Sequence, residues 1–160
     1  MFKKILTLIL ISMVPLIELR GAMPVAVGMG FDTGWSFVGA LALCVVANMI
    51  PVPFIYFFAR KVLEWGKDKK GIFGKFCTFC LDRGHKGGEK LMAKAGRGLF
   101  WALFLFVGIP LPGTGAWTGT LAASILDMGF KKSVIAVVGG VVLAGVIMGV
   151  GSLIFKGLFF

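Results

Sequence analysis

Glu18 and Arg20 stand two positions apart in the stretch PLIELRGAMPVA, residues 15–26, whose other side chains carry no charge. Arg20 has a planar guanidinium that can hold a phosphate or a carboxylate through two parallel hydrogen bonds. Glu18 is a carboxylate that can take up a proton or contact the same ligand. The pair therefore indicates binding of an anionic group together with a proton. A structural salt bridge that fixes this part of the chain is the alternative.

A second stretch, IPLPGTGAWTG of residues 109–119, combines turn-forming residues with hydroxyl groups and an indole. Proline and glycine interrupt helices and let the backbone approach another group closely. We predict that this stretch faces the first one and forms the other wall of a single site. The predicted substrate-binding or proton-coupling residues are Glu18, Arg20, Pro15, Gly21, Pro24, Pro110, Pro112, Gly113, Thr114, Gly115, Trp117 and Asn48.

The composition places these residues in an integral membrane protein. Hydrophobic residues make up 58% of the 160-residue chain and charged residues 15%, whereas soluble domains are about 45–50% apolar and about 25% charged. A charge at the centre of a bilayer costs at least about 2.5–3.5 kcal/mol. Glu18 and Arg20 should therefore face the protein interior or water.

Short apolar segments flank both stretches. Residues 2–14 reach only roughly 20 Å as a helix, against a hydrocarbon core of about 30 Å. Residues 2–31 are therefore predicted to form a re-entrant hairpin, and residues 35–59 a membrane span. Pro51 and Pro53 should kink or end that span. Asn48 lies one turn earlier, where it can satisfy a freed backbone group or bond a neighbouring helix.

The same order recurs in the second half, which predicts an internal duplication. Residues 99–130 form the second hairpin, Lys131-Lys132-Ser133 a turn, and residues 133–155 the second span. Gly30-Phe31 matches Gly129-Phe130 at an offset of 99 residues. One crossing per half makes the two copies inverted. The predicted fold is all-α: a single membrane domain, 1–160, of two inverted repeats, 1–59 and 99–158, each a re-entrant helical hairpin followed by a full transmembrane helix, joined by a basic interfacial helical segment, 60–98.

The positive charges predict an orientation. Eleven of the 17 Lys and Arg residues fall between Arg60 and Arg97, and such clusters stay on the cytoplasmic side. With Lys131 and Lys132 this puts 13 positive residues inside, leaves Arg20 within the membrane, and puts three, Lys3, Lys4 and Lys156, outside. We predict a multi-pass protein of the inner (plasma) membrane whose segment 60–98 is cytoplasmic. That segment should touch anionic lipid head groups, and no nucleic acid.

Two further patterns have structural interpretations. Cys77 and Cys80 form a lone CxxC pair near His85, but a tetrahedral zinc site needs four ligands, and we expect no metal, no cofactor and no catalytic residue. Gly145 and Gly149 give the last span a small-residue face of the kind that lets helices approach closely. We expect this face to pack against the first span or the opposite hairpin rather than to form a dimer by itself.

Together, PLIELRGAMPVA and IPLPGTGAWTG resemble the small multidrug export proteins of bacteria and archaea, over essentially the whole chain. That family is similar in predicted layout to the DedA (VTT-domain) superfamily, which implies paired re-entrant hairpins and proton-coupled transport of a lipid or small solute. By this resemblance Glu18 and Arg20 are the charged pair of one hairpin, and Pro112-Gly113 is the turn of the other. DedA proteins carry a second arginine in the later hairpin, whereas this sequence has no charge between Phe100 and Leu126.

These observations predict a small secondary transporter or lipid flippase that moves an anionic lipid or small amphipathic solute through a mid-membrane site, with a proton as one option for the coupling ion. Its partners are membrane lipids, and a homodimer would supply further walls for a large cavity. The alternatives are a multidrug or solute exporter, as the family label says, and a non-transporting membrane scaffold whose ion pair is structural.

Overall fold

The computed structural model describes residues 2–14, 17–68, 71–72, 74–75, 78, 97–111 and 114–159. Within these residues the regular structure is helical and contains no strand. The helices, in chain order, are α1 (Phe2–Met13), α2 (Glu18–Gly28), α3 (Gly34–Met49), α4 (Pro51–Lys67), α5 (Arg97–Gly108), α6 (Ala116–Ile125) and α7 (Phe130–Phe159).

The helix lengths fall into two classes. α1, α2, α5 and α6 have 10–12 residues, or roughly 15–18 Å, about half the hydrocarbon thickness. Two apolar stretches, Gly34–Phe58 and Phe130–Leu158, are long enough to cross a membrane, with 25 and 29 residues. Large apolar side chains stay exposed on their outer faces, including Trp35 at 89% and Phe54 at 73%. The prediction of a helical chain with two long apolar helices is therefore confirmed for the described residues.

The first long stretch is divided near its middle. α3 ends at Met49 and α4 begins at Pro51, with Ile50 between them. Proline lacks the amide proton that would continue the helix but fits the first helical turn, so the predicted interruption at the prolines is confirmed. The apolar stretch ends at Phe58, next to the predicted end of the span at residue 59, although α4 itself continues to Lys67. Its last turns carry the first charges of the basic segment.

Two other predicted boundaries also differ. The stretch of residues 15–26 was expected to be an irregular break between two helices. Instead α2 begins at Glu18, and both Gly21 and Pro24 lie inside it. Pro24 is an interior residue of α2, where proline removes the internal hydrogen bond that an amide would otherwise donate. Lys131 and Lys132, expected in a turn, belong to the first turn of α7. The chain reverses just before them, where Asp127 and Gly129 have φ values of 54° and 79°.

The core is built from both halves of the chain. α7 packs against α2 and α3 from the first half and against α5 and α6 from the second, while α4 packs against α6. The two halves therefore interleave rather than sit side by side. One buried apolar cluster joins them through Leu8, Leu19, Met23, Val52, Leu103, Val107, Val137 and Val141.

The small-residue face of α7 explains this close packing. A Cβ atom at Gly145 would come within 2.7 Å of Leu19 in α2, and one at Gly149 within 3.0 Å of Met23. Leu41 and Phe37 of α3 close over the same two glycines. The expectation that this face packs inside the chain, against the first half, is confirmed.

Two polar contacts tie the chain ends to the α2–α3 turn. The ammonium of Lys4, near the start of α1, donates to the carbonyl O of Met29 at 2.6 Å, just past the end of α2. Lys156, near the end of α7, forms an ion pair with Asp32. The beginning of α1, the α2–α3 turn and the end of α7 therefore lie at the same end of the molecule.

Most of the basic segment, together with Cys77, Cys80 and His85, lies outside the described residues, as do Pro15, Pro112 and Gly113. The interfacial helices predicted for residues 60–98 stay a prediction beyond the end of α4.

Candidate functional site

Glu18 lies at the first position of α2 with its carboxylate turned toward α6. Its side chain is buried, at 5% exposure. Its carboxylate oxygens accept hydrogen bonds from the backbone amides of Ala116, at 3.0 Å, and Trp117, at 3.1 Å. These are the first two amides of α6, which have no partner inside their own helix. The negative charge also complements the positive end of the α6 dipole. Glu18 therefore caps a helix that begins 98 residues later in the chain.

The backbone of Glu18 is held in an unusual conformation for this role. Its φ is 50°, in the left-handed region, which costs a residue with a side chain roughly 1–2 kcal/mol. Hydrogen bonds to a charged group are stronger than neutral ones and contribute about 1.5–3 kcal/mol each. The two bonds to α6 therefore offset the cost of the backbone conformation that aims the carboxylate.

Gly115 provides the space for the carboxylate. It precedes α6 and contributes no side-chain cap to that helix. A Cβ atom at Gly115 would lie 2.8 Å from the carboxylate carbon of Glu18, a distance at which something must move. The glycine thus lets a carboxylate from α2 approach the α6 amides directly.

Arg20 binds the end of α5, on the other side of the break between α5 and α6. Its guanidinium donates to the carbonyl oxygens of Val107, at 3.1 Å, Ile109, at 3.3 Å, and Leu111. These carbonyls lie at and just beyond the end of α5, where the last helical carbonyls lack internal partners and the dipole is negative. Arg20 therefore stabilises the end of α5.

Thr114 completes this set of contacts. Its hydroxyl oxygen accepts a hydrogen bond from Arg20 at 2.8 Å. It also lies 2.9 Å from the carbonyl oxygens of both Ile109 and Leu111, to which the hydroxyl donates. The break between α5 and α6 is thereby ordered around one guanidinium group.

The two charges complement opposite helix ends that meet at one break. The carboxylate binds amides at the start of α6, and the guanidinium binds carbonyls at the end of α5. The contact of Glu18 with Ala116 is buried, where charge-assisted hydrogen bonds gain strength, whereas the contacts of Arg20 range from partly buried to exposed. The spacing of Glu18 and Arg20 therefore serves two separate backbone targets in the second half of the chain.

The remaining predicted residues are distributed around this contact. Trp117 contributes its backbone amide to Glu18, and Pro110 lies in the break itself. Gly21 packs beneath Ile17. Pro24 lies farther along α2, where it lines a separate cavity. Asn48 is buried at the end of α3, at 1% exposure.

Four buried polar side-chain atoms lack a hydrogen-bond partner among the described residues, apart from the weakly bonding thiol of Cys44 beside Ser12: Oγ of Ser12, Oδ1 of Asn48, Nε1 of Trp117 and Oγ1 of Thr120. Unsatisfied buried polar groups are uncommon and each calls for a partner such as water or a ligand. Ser12 is a residue that the sequence patterns did not single out. Its polarity within an apolar helix was the available signal.

The sequence patterns also did not identify the residues whose carbonyls accept hydrogen bonds from Arg20. Val107, Ile109 and Leu111 act through backbone carbonyls, which every residue possesses, so their side chains carry no sign of the contact. Among the described residues no group of three or more His, Cys, Asp or Glu side chains could hold a metal ion.

The chain matches one family model over residues 18–147, described as "Putative small multi-drug export protein". The match begins at Glu18 and includes every element of the α2–α5–α6 contact. No curated protein and no solved structure matches the chain.

Proposed function

Because this chain belongs to the small multi-drug export protein family, we propose that it is a small secondary transporter whose substrate passes through the junction of α2, α5 and α6. The observation that carries the proposal is the binding of Glu18 and Arg20 to two helix ends across that junction. The proposed substrate is an anionic lipid or a small amphipathic solute.

The proposed topology is two re-entrant helix pairs, α1–α2 and α5–α6, in inverted repeats. Four helices of half-membrane length support it. The contact of Lys4 with Met29 also supports it, because the chain enters and leaves the α1–α2 pair at one end of the molecule. Irregular backbone at membrane depth is tolerated where it is buried or lines a cavity, and transporters place their sites at such breaks.

The proposed mechanism begins with the protonation of Glu18. A neutral carboxylic acid is a weaker acceptor for two amides than a carboxylate, so protonation weakens the cap on α6. An anionic group of the substrate then takes the place of the carboxylate at the start of α6, where free amides and the helix dipole favour negative charge. Arg20 exchanges backbone carbonyls for the same anionic group. Proton and substrate therefore enter together, and deprotonation of Glu18 restores the closed contact.

Substitution of Glu18 by glutamine tests this mechanism. Gln keeps one carbonyl oxygen that accepts a hydrogen bond but lacks the titratable proton, so the fold should survive while coupling is lost. We expect Glu18→Gln to abolish pH-driven movement of fluorescent phosphatidylglycerol and of a fluorescent amphipathic solute in proteoliposomes. The thermal unfolding midpoint in detergent should fall but a cooperative transition should remain, because the NH2 group of Gln cannot accept the hydrogen bond of one of the two α6 amides.

Glu64→Gln is the matched control, because Glu64 is an exposed carboxylate on α4. It should transport like the wild type. Full pH-dependent transport by Glu18→Gln would remove proton coupling at this residue. Loss of transport in both variants would point to a general effect of acidic residues instead.

A non-transporting scaffold is the alternative that the same contacts support, because all the named partners of Glu18 and Arg20 belong to the chain itself. Under that alternative, Arg20→Ala lowers the unfolding midpoint, and neither phosphatidylglycerol nor an amphipathic solute raises the midpoint of the wild type. Under the transport proposal, one of these two ligands raises the wild-type midpoint but not that of Arg20→Ala.

A further inference from the structure

A cavity of about 730 Å³ lies between α2 and the second half of α7. Pro24 and Gly28 form its α2 side, and Ile147, Gly151, Phe155 and Lys156 line its α7 side. Its volume falls within the range of roughly 300–1,000 Å³ that is typical of small-molecule sites. Apart from Lys156 and Ser152 the lining is apolar, so the cavity fits an alkyl chain.

The cavity exists because the packing of α2 on α7 stops at one point. Gly145 and Gly149 are covered by side chains of α2 and α3. Farther along α7, a Cβ atom at Gly151 would meet no heavy atom within 4 Å, and the same holds for Gly28 across the cavity. The two glycines thus leave an open furrow between α2 and α7, and this furrow is the cavity described above.

Charges mark one end of this furrow. Lys156 lies in the lining itself and pairs with Asp32. The hydrogen bond from Lys156 lowers the pKa of Asp32, so the carboxylate is ionised at neutral pH. Lys4 reaches the carbonyl of Met29, the residue next to Gly28. Two ammonium groups and one carboxylate leave this end with a net positive charge.

We propose that the furrow holds one acyl chain of an anionic membrane lipid, with Lys156 and Lys4 at its head group. The apolar lining removes the chain from contact with neighbouring lipids, and an anionic phosphate is attracted to the net positive end. The furrow faces outward from a membrane-spanning helix, so the surrounding bilayer supplies the occupant. This site is separate from the contact of Glu18 with α6, and lipid binding here does not require transport.

Filling the furrow tests the proposal. Gly151→Leu and Gly28→Leu place a branched side chain in the open space, and both replace glycine within a helix, which favours folding. The measurement is the motionally restricted fraction of spin-labelled phosphatidylglycerol around the protein in phosphatidylcholine nanodiscs. We expect each variant to lower the affinity of the restricted component by about tenfold or more, since several methylene groups lose their site.

Gly39→Leu is the matched control. Gly39 is exposed on α3 and lies outside the furrow, and a Cβ atom added there would meet no heavy atom within 4 Å. It should retain the wild-type restricted component. Lys156→Ala should reduce the preference for phosphatidylglycerol over phosphatidylcholine by about fivefold, because one lysine near the surface is worth about 1 kcal/mol.

Retention of the restricted component by both Gly28→Leu and Gly151→Leu would overturn the site. If Lys156→Ala keeps the wild-type preference for phosphatidylglycerol over phosphatidylcholine, the role of Lys156 at the head group is overturned. Both readouts are binding measurements, so they stand apart from the transport assay for Glu18→Gln.

Discussion

At the scale of single residues, the site depends on one carboxylate and one guanidinium that bind backbone atoms. Glu18 binds two amides of α6, and Arg20 binds carbonyls at and beyond the end of α5. Removal of the Glu18 carboxylate would leave the buried amide of Ala116 without a partner, and an unsatisfied buried group costs about 1–3 kcal/mol. The two charges therefore hold α2 against the end of α5 and the start of α6.

Gly115→Ala tests the fit of the carboxylate against the backbone. The new methyl group would stand 2.8 Å from the carboxylate carbon of Glu18, and we expect a loss of about 1–3 kcal/mol in the free energy of unfolding. The loss should be much smaller in a Glu18→Ala background, where the methyl group has room. Unfolding of all four proteins in detergent gives the coupling energy, and equal costs in the two backgrounds would contradict the contact.

At the scale of helices, α6 begins without a cap of its own and α7 carries the packing of both halves. α6 depends on a residue of α2 for the hydrogen bonds that helices usually obtain from a neighbouring Ser, Thr, Asp or Asn. α7 is able to contact four other helices because its glycines let side chains and backbone of the neighbours reach its surface. Each short helix is thus stabilised mainly by its partners, as expected for elements of this length.

Alanine substitutions along α7 should separate packed from open glycines. At Gly140 a Cβ atom would lie 2.7 Å from the carbonyl oxygen of Phe104 and 2.7 Å from the Cβ of Val107, so Gly140→Ala should cost about 1–3 kcal/mol. Gly151 faces open space, and Gly151→Ala should be neutral or stabilise by up to about 1 kcal/mol through helix propensity. Thermal unfolding of both variants measures the difference, and a common sign for both would contradict the packing described for α7.

At the scale of the whole molecule, contacts across the chain define one end. The start of α1, the α2–α3 turn and the end of α7 meet through Lys4, Asp32 and Lys156. The predicted orientation puts this end outside the cell and segment 60–98 in the cytoplasm. The cytoplasmic side then holds 13 of the 17 positive residues, 11 from that segment together with Lys131 and Lys132.

The native cysteines test this orientation. Cys77 and Cys80 belong to the basic segment, whereas Cys44 is buried in α3. A membrane-impermeant maleimide should leave the wild type unlabelled in intact cells and label it in inverted vesicles. Thr33→Cys, at an exposed position of the α2–α3 turn, should be labelled in intact cells. The opposite pattern would reverse the predicted orientation.

The sequence by itself determined the membrane class, the two long spans, the four short helices and the break at Pro51. These features follow from the length and polarity of segments measured against the thickness of a bilayer, and both are local properties of the chain. The sequence also identified Glu18 and Arg20, because charges inside apolar segments are costly.

Only the tertiary structure decided what those two charges bind. Their partners lie 87–99 residues away and act through backbone amides and carbonyls, or through the hydroxyl of Thr114. Backbone groups are the same at nearly every position, so no side-chain pattern reveals which of them stay unpaired at a helix end and face a given charge. The fold makes that choice by bringing the start of α2 to the break between α5 and α6.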